Sequence, residues 1–177
     1  GAKRIEDYQI PPDVEYVSWE YENVGPGYFQ TLGVPVLQGR DFSMQDGPGA
    51  PKVMIVNELL AHRYWPNHNP IGKRITFADE VREVVGVVKA TRLYSLAEEP
   101  VPLSYWPLAQ PMESKFVSKS KPILLIRTDG DPKAVISMVR KELDSEGLSP
   151  AVYDVRSVAE QAWDVLLGQR VIAGILN

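Results

Sequence analysis

Cysteine is absent from all 177 residues, which excludes disulfides and thiolate metal sites and suits either a reducing compartment or a bacterial cell envelope. Histidine is scarce: His62 and His68 are the two present, and a zinc site would still lack its third and fourth ligands. Basic clusters are missing as well. Nineteen Lys and Arg against 23 Asp and Glu leave a net charge of −4 and a pI near 5.3, and no window is dense enough in Lys or Arg to follow a phosphate backbone. Nucleic acid is therefore not an expected partner. No Gly-x-Ser-x-Gly nucleophile elbow, Gly-x-x-x-x-Gly-Lys phosphate loop or Gly-x-Gly-x-x-Gly fingerprint occurs. No signal-peptide pattern stands at Gly1, so targeting is not legible in the chain.

What is there looks globular. With 44% hydrophobic and 24% charged residues the chain can bury a core as one domain or two small subdomains. Fifteen prolines are in excess and scattered, which implies many short elements joined by stiff turns.

From Val14 to Val24, Tyr16, Ser18, Glu20 and Glu22 alternate with Val17, Trp19 and Tyr21, the period of a half-buried strand. Gly25-Pro26 opens a short helix carrying Tyr28, Phe29 and Leu32, stopped by Gly33, and Val34 to Leu37 reads as a strand. Asp41 to Pro51, with Asp46-Gly47-Pro48-Gly49, is a turn region and the expected subdomain boundary. Lys52 to Val56 predicts a strand, Asn57 an N-cap, and Glu58 to Trp65 a helix burying Leu59, Leu60 and Tyr64. Lys73 to Phe77 and Glu83 to Val88 predict a hairpin around a polar segment, Ala78 to Arg82. The prolines in Pro100 to Leu108 predict an edge strand, where missing amide donors cost least.

Beyond a Lys- and Ser-rich loop at Met112 to Ser120, Ile123 to Arg127 predicts a buried strand. Asp131-Pro132 starts a helix with Val135, Ile136, Val139 and Leu143 on one stripe up to Gly147. Ala151 to Val155 predicts a strand, and Ser157 with Glu160 a capping box for a further helix. That helix has no stop signal before Val171 to Asn177, which is expected to begin an apolar span of roughly 20 residues. The competing expectation is an amphipathic helix docked on its own core.

Residues that could carry chemistry have plainer readings. Glu58 and His62 share a helical face as an exposed i, i+4 pair. Asp41/Asp46, Glu98/Glu99 and Asp129/Asp131 lie in turns or at helix starts, where capping explains them. Trp19, Tyr21, Tyr28, Phe29, Tyr64, Trp65, Tyr105 and Trp106 could line a ligand groove, but core packing is the simpler role.

A family resemblance rests on a series of motifs in order. They are Val24-Gly25-Pro26-Gly27-Tyr28-Phe29-Gln30-Thr31-Leu32-Gly33, Gly39-Arg40-Asp41-Phe42, Val56-Asn57-Glu58 and Ala61-His62-Arg63-Tyr64-Trp65-Pro66. Asn69-Pro70-Ile71-Gly72-Lys73-Arg74, Val84-Val85-Gly86-Val87-Val88 and Tyr105-Trp106-Pro107-Leu108-Ala109-Gln110 follow, and then Arg127 to Pro132 and Asp154-Val155-Arg156-Ser157. Together they resemble the periplasmic core domain of MacB-type ABC transporter permeases over Val24 to Arg170, and are similar above all to large permeases carrying two such domains.

The resemblance implies an α+β, two-lobed ectodomain: a porter-like lobe of β-α-β elements at 12–40 and 120–163, an inserted sabre-like lobe at 41–119, and the start of a membrane helix at 164–177. It implies a non-enzymatic domain without cofactor or metal, on the extracytoplasmic side of a bacterial cytoplasmic membrane, coupling ATP-driven movement to an envelope substrate or partner. The partners it implies are a cytoplasmic ABC ATPase domain or subunit, a second permease protomer and a periplasmic adaptor. Exposed loop residues Met112, Lys115, Phe116 and Lys119 are the candidate partner contacts. Two other readings stand beside this one: a ligand-binding module for a peptide or lipid, and a hydrolase using Glu58, His62 and a turn carboxylate.

Overall fold

The computed structural model describes residues 1–77, 79–91, 99–111 and 123–147. The chain divides into two units, Gly1–Arg92 with Glu99–Leu125, and Leu93–Glu98 with Ile126–Asn177. The fold is mixed α/β.

In the first unit the chain runs through β1 (Ala2–Ile5), β2 (Glu20–Val24), α1 (Tyr28–Leu32), β3 (Val36–Gly39), β4 (Val53–Asn57), α2 (Glu58–Tyr64), β5 (Arg74–Phe77), β6 (Glu80–Val88) and β7 (Leu103–Pro107). The seven strands form one sheet in the order β1-β5-β6-β4-β7-β2, with β3 also paired to β6. The nine-residue β6 is its spine. One of its edges takes β5 along Glu80 to Glu83 and β3 along Gly86 to Val88, while β4 runs parallel along the other edge. β7 is antiparallel to β4 and parallel to β2.

Side chains alternate across the sheet, so consecutive Tyr105 and Trp106 serve opposite faces. Trp106 belongs to the main core with Met54, Val56, Ile75, Phe77, Val84 and the α2 residues Leu60, Ala61 and Tyr64. Its ring stacks on Tyr21 at 4.6 Å and meets Phe77 edge-on at 5.1 Å. Tyr105 instead meets Phe29 of α1 at 4.8 Å, and Phe29 in turn lies 6.5 Å from Phe42. Each such ring, fully buried, contributes about 1.5–3 kcal/mol.

Where β3 crosses β6 only glycine fits. A Cβ on Gly39 would lie 2.2 Å from the Val85 carbonyl oxygen, and one on Gly86 would lie 2.4 Å from that of Arg40. Gly39 also has φ 73°, which favours glycine independently of space.

Several sequence expectations are corrected. β7 is interior, fully buried between β4 and β2, because Pro100 and Pro102 precede it and Pro107 closes it, leaving its paired amides intact. The segment expected as a polar turn up to Arg82 is already strand from Glu80, with Arg82 buried. Leu59 faces outward at 36% exposure, and Ala61 takes its place in the core. The strand expected at Val34 to Leu37 is shifted to Val36–Gly39. Ile123 to Arg127 forms no strand and is not buried: Ile123 is 82% and Leu124 75% exposed. The 41–51 turn region joins strands of one sheet, since β2 and β3 pair into the same sheet as β4, β6 and β7.

In the second unit, α3 (Pro132–Ser145) starts as its sequence dictates, with Pro at the first helical position and the Asp131 carbonyl accepting from Ala134 and Val135. Val135, Ile136, Val139 and Leu143 are its half-buried stripe, and the rest of its described side chains are exposed. No helix among the described residues is long and apolar enough to cross a membrane. The strand expected at Ala151 to Val155, the Ser157 capping box and the apolar run from Val171 lie outside the described residues.

Candidate functional site

The acidic and imidazole groups that could do acid–base work are occupied structurally or stand apart. Glu58 accepts from the Lys89 ammonium at 2.9 Å and from the Ala90 amide at 3.2 Å, and the Lys89 hydrogen bond holds its carboxyl below the ordinary range. A carboxylate so held is a poor proton acceptor at neutral pH. His62 and His68 are exposed, and no cluster of three or more metal-ligating side chains exists among the described residues.

Asp46 is a turn lock. Its carboxylate, 6% exposed, takes both Arg40 guanidinium nitrogens at 2.8 Å, the Ser43 amide at 2.8 Å and the Ser43 hydroxyl at 3.3 Å. Chiefly through the Arg40 hydrogen bonds, its carboxyl is lowered from the usual value. Asp41 accepts from the Phe42 amide at 2.6 Å, and burial pushes its carboxyl upward. Asp129 and Asp131 are exposed ahead of α3; Glu98 lies outside the described residues.

A further polar cluster is a buried knot centred on Arg82. Its guanidinium donates to the Val53 carbonyl at 3.2 Å and to the Gln110 carbonyl at 2.7 Å, faces Glu80 at 2.5 Å and lies 4.1 Å from the Trp106 ring centroid. Burial lowers its pKa, and its Nε has no hydrogen-bond acceptor among the described residues. Gln110 completes the knot: its side-chain oxygen accepts from the Val53 amide at 3.1 Å, while its nitrogen donates to the Gly47 and Pro51 carbonyls at 3.3 and 3.1 Å. These bonds tie the start of β4, the middle of β6, the turn before β4 and the chain after β7 into one block.

At the β4–α2 junction Asn57 caps the helix as its sequence position predicts, its side-chain oxygen accepting from the Leu60 amide at 2.9 Å. The same oxygen accepts from Leu103 at 3.2 Å, and the side-chain nitrogen donates to the Val101 carbonyl at 2.7 Å.

Sequence reasoning placed the aromatic residues correctly in packing roles, since Trp19, Tyr21, Tyr28, Phe29, Tyr64, Trp65, Tyr105 and Trp106 all stand in ring-to-ring contact. It missed Arg82 and Gln110. Arg82 closes the segment Ala78 to Arg82, whose polar composition reads as a solvated turn and carries no signal of burial. Gln110 had no signal outside the Tyr105 to Gln110 motif. The candidate partner contacts Met112, Lys115, Phe116 and Lys119 lie outside the described residues.

This geometry is that of a cross-braced body, and the chain resembles known proteins. A family model described as a MacB-like periplasmic core domain matches residues 8–145. Over 73 residues, 41% of this chain, the sequence is 30% identical to the macrolide export ATP-binding/permease protein MacB of Mannheimia succiniciproducens, of which it covers 11%. Against the protein of the same name from Aggregatibacter actinomycetemcomitans it is 28% identical over 78 residues, 44% of this chain and 12% of that protein. The crystal structure of the periplasmic region of MacB from Actinobacillus actinomycetemcomitans superposes with a TM-score of 0.53 at 22% identity, covering 71% of this chain and 55% of the other, a likeness of fold. The chain thus spans about an eighth or less of the curated relatives it matches.

Proposed function

Because this chain belongs to the family of MacB-like periplasmic core domains, we propose that it works as the extracytoplasmic part of an ABC transporter permease, passing ATP-driven conformational change to an envelope substrate or partner in efflux or export. The observation that carries this reading is the family match across residues 8–145, more than three-quarters of the chain. The export names of the relatives support the transport direction.

On this reading ATP is hydrolysed on a cytoplasmic nucleotide-binding domain or subunit, and the permease works with a second protomer or half. A periplasmic adaptor is a further proposed partner, met through the segment carrying Met112, Lys115, Phe116 and Lys119. The two units of the chain are the proposed moving parts, and residues 164–177 the start of a following membrane helix. Mechanical work favours stiff bodies, and the Arg82 knot and Asp46 lock are features of such a body. A ligand-binding role draws no support from the aromatic residues, whose rings pack against one another.

The test is topological. Met44, 86% exposed at the tip of the Asp46-locked turn, is changed to Cys in a cysteine-free version of the intact parent protein. Labelling of spheroplasts by a membrane-impermeant maleimide is expected; labelling only after lysis overturns the extracytoplasmic assignment.

A further inference from the structure

Two Asp-Gly pairs occur in the chain, Asp46-Gly47 and Asp129-Gly130, and no Asn-Gly pair. In such a pair the side-chain carboxyl lies within reach of the following main-chain nitrogen. Glycine, lacking a Cβ, neither shields that nitrogen nor restrains the rotation that brings the two groups together. Sequence alone gives no reason to separate the two pairs. Their surroundings do.

The Asp46 carboxylate, in the first unit, is held on both oxygens and buried. One oxygen accepts from Arg40 at 2.8 Å; the other accepts from the second Arg40 nitrogen at 2.8 Å, the Ser43 amide at 2.8 Å and the Ser43 hydroxyl at 3.3 Å. Turning it toward the Gly47 nitrogen breaks these bonds. The form that reacts is the protonated acid, which releases its hydroxyl as water, whereas the Arg40 hydrogen bonds favour the ionised form. Asp129 and Gly130, in the second unit ahead of α3, are both exposed, and the Asp129 carboxyl makes no hydrogen bond or ion pair among the described residues. The Gly130 amide donates to the Thr128 hydroxyl at 3.0 Å, an exposed contact for which water is a ready substitute.

We propose that Asp129 is a site of spontaneous isomerisation to isoaspartate, and that the Arg40–Asp46 lock protects the other pair from the same reaction. The Gly130 nitrogen gives up its proton and attacks Asp129 Cγ; an N–C bond forms, the Cγ–OH bond breaks and one water leaves, closing a succinimide ring. Water then opens the ring. Addition at the carbonyl derived from the side chain restores aspartate, while addition at the main-chain carbonyl routes the backbone through Cβ and Cγ and frees the former main-chain carbon as the carboxylate. One water is lost and one regained, so mass and charge are unchanged and water is the sole co-reactant. The product has an extra methylene in the main chain two residues before Asp131, whose carbonyl opens α3 by accepting from Ala134 at 3.1 Å and Val135 at 3.4 Å.

The test is prolonged storage of the 177-residue chain at neutral pH, folded and in urea, followed by peptide mapping with electron-transfer fragmentation, which tells isoaspartate from aspartate. In the folded chain isoaspartate is expected to accumulate at 129 at least about 10-fold faster than at 46, the equivalent of one hydrogen bond to a charged group. In urea, with the lock gone, the two rates are expected to converge. Asp129→Glu should abolish the product at that position, because its longer side chain closes the larger ring far more slowly.

Arg40→Met removes the lock and should raise the rate at 46 in the folded protein by about 10-fold. A folded Arg40→Met chain that reacts no faster at 46 overturns the protective role. A folded unaltered chain in which 129 reacts no faster than 46, or in which neither reacts, overturns the proposal. So does a preference for 129 that persists undiminished in urea, since local sequence and not the fold would then decide. If Arg40→Met does not fold, the unaltered chain with and without urea still decides.

Discussion

Replacing Arg82 by Met keeps a long side chain against Trp106 and removes only the guanidinium. Two buried carbonyls, Val53 and Gln110, then lose donors at 3.2 and 2.7 Å, each costing about 1–3 kcal/mol when left unsatisfied. The cation over the Trp106 ring, 4.1 Å from its centroid, is lost as well, at about 0.5–2 kcal/mol. Opposing these is relief from burying a charged group whose Nε has no acceptor among the described residues. The net expectation is a loss of about 2–4 kcal/mol, a large share of the roughly 5–15 kcal/mol typical of a folded domain. Urea unfolding followed by tryptophan fluorescence measures it, and with a slope of about 1–3 kcal/mol per molar the midpoint should fall by about 1–3 M. Glu80→Gln, which leaves the guanidinium bonds to Val53 and Gln110 in place, should cost less. A midpoint for Arg82→Met within about 0.3 M of the parent would refute the claim that the buried guanidinium braces β4, β6 and the chain after β7.

Asp46 supplies a pH prediction. Its folded carboxyl is lowered beneath 3.8, so its contribution is fully present above that value and disappears as pH falls through the folded value. Asp46→Asn should therefore be destabilised in urea at pH 7, with the gap to the parent closing under acid conditions. Gly86→Ala places a methyl group 2.4 Å from the Arg40 carbonyl, a backbone atom that cannot swing aside, and should lower stability by about 1–3 kcal/mol in the same assay. Val81→Ala, at a residue 48% exposed on the same strand, should change it by less than about 0.5 kcal/mol.

Legibility in the sequence followed the range of the interactions. Local signals were reliable: the Asn57 cap, the left-handed stop at Gly33 and the α3 stripe all depend on residues a few positions apart. The β5–β6 hairpin was legible for the same reason, since its turn and both strands are adjacent. Strand position in the sheet was not. Pro100, Pro102 and Pro107 argued for an edge, yet they flank β7 and leave its interior free to pair on both sides, with β2 from far upstream as one neighbour. Arg82 and Gln110 are 28 residues apart, and only the fold brings their side chains to Val53, so neither composition nor spacing could single them out. Ile123 to Arg127 has the composition of a buried strand, yet Ile123 and Leu124 are exposed and the segment is not strand.

The proposed role, that the domain transmits ATP-driven movement, is tested most directly in the intact parent protein by pulsed electron–electron double resonance between labels at Met44→Cys and Met138→Cys, both on exposed side chains in different units. The account predicts a distance distribution that shifts between the nucleotide-free and ATP-bound states. Identical distributions in the two states would contradict it.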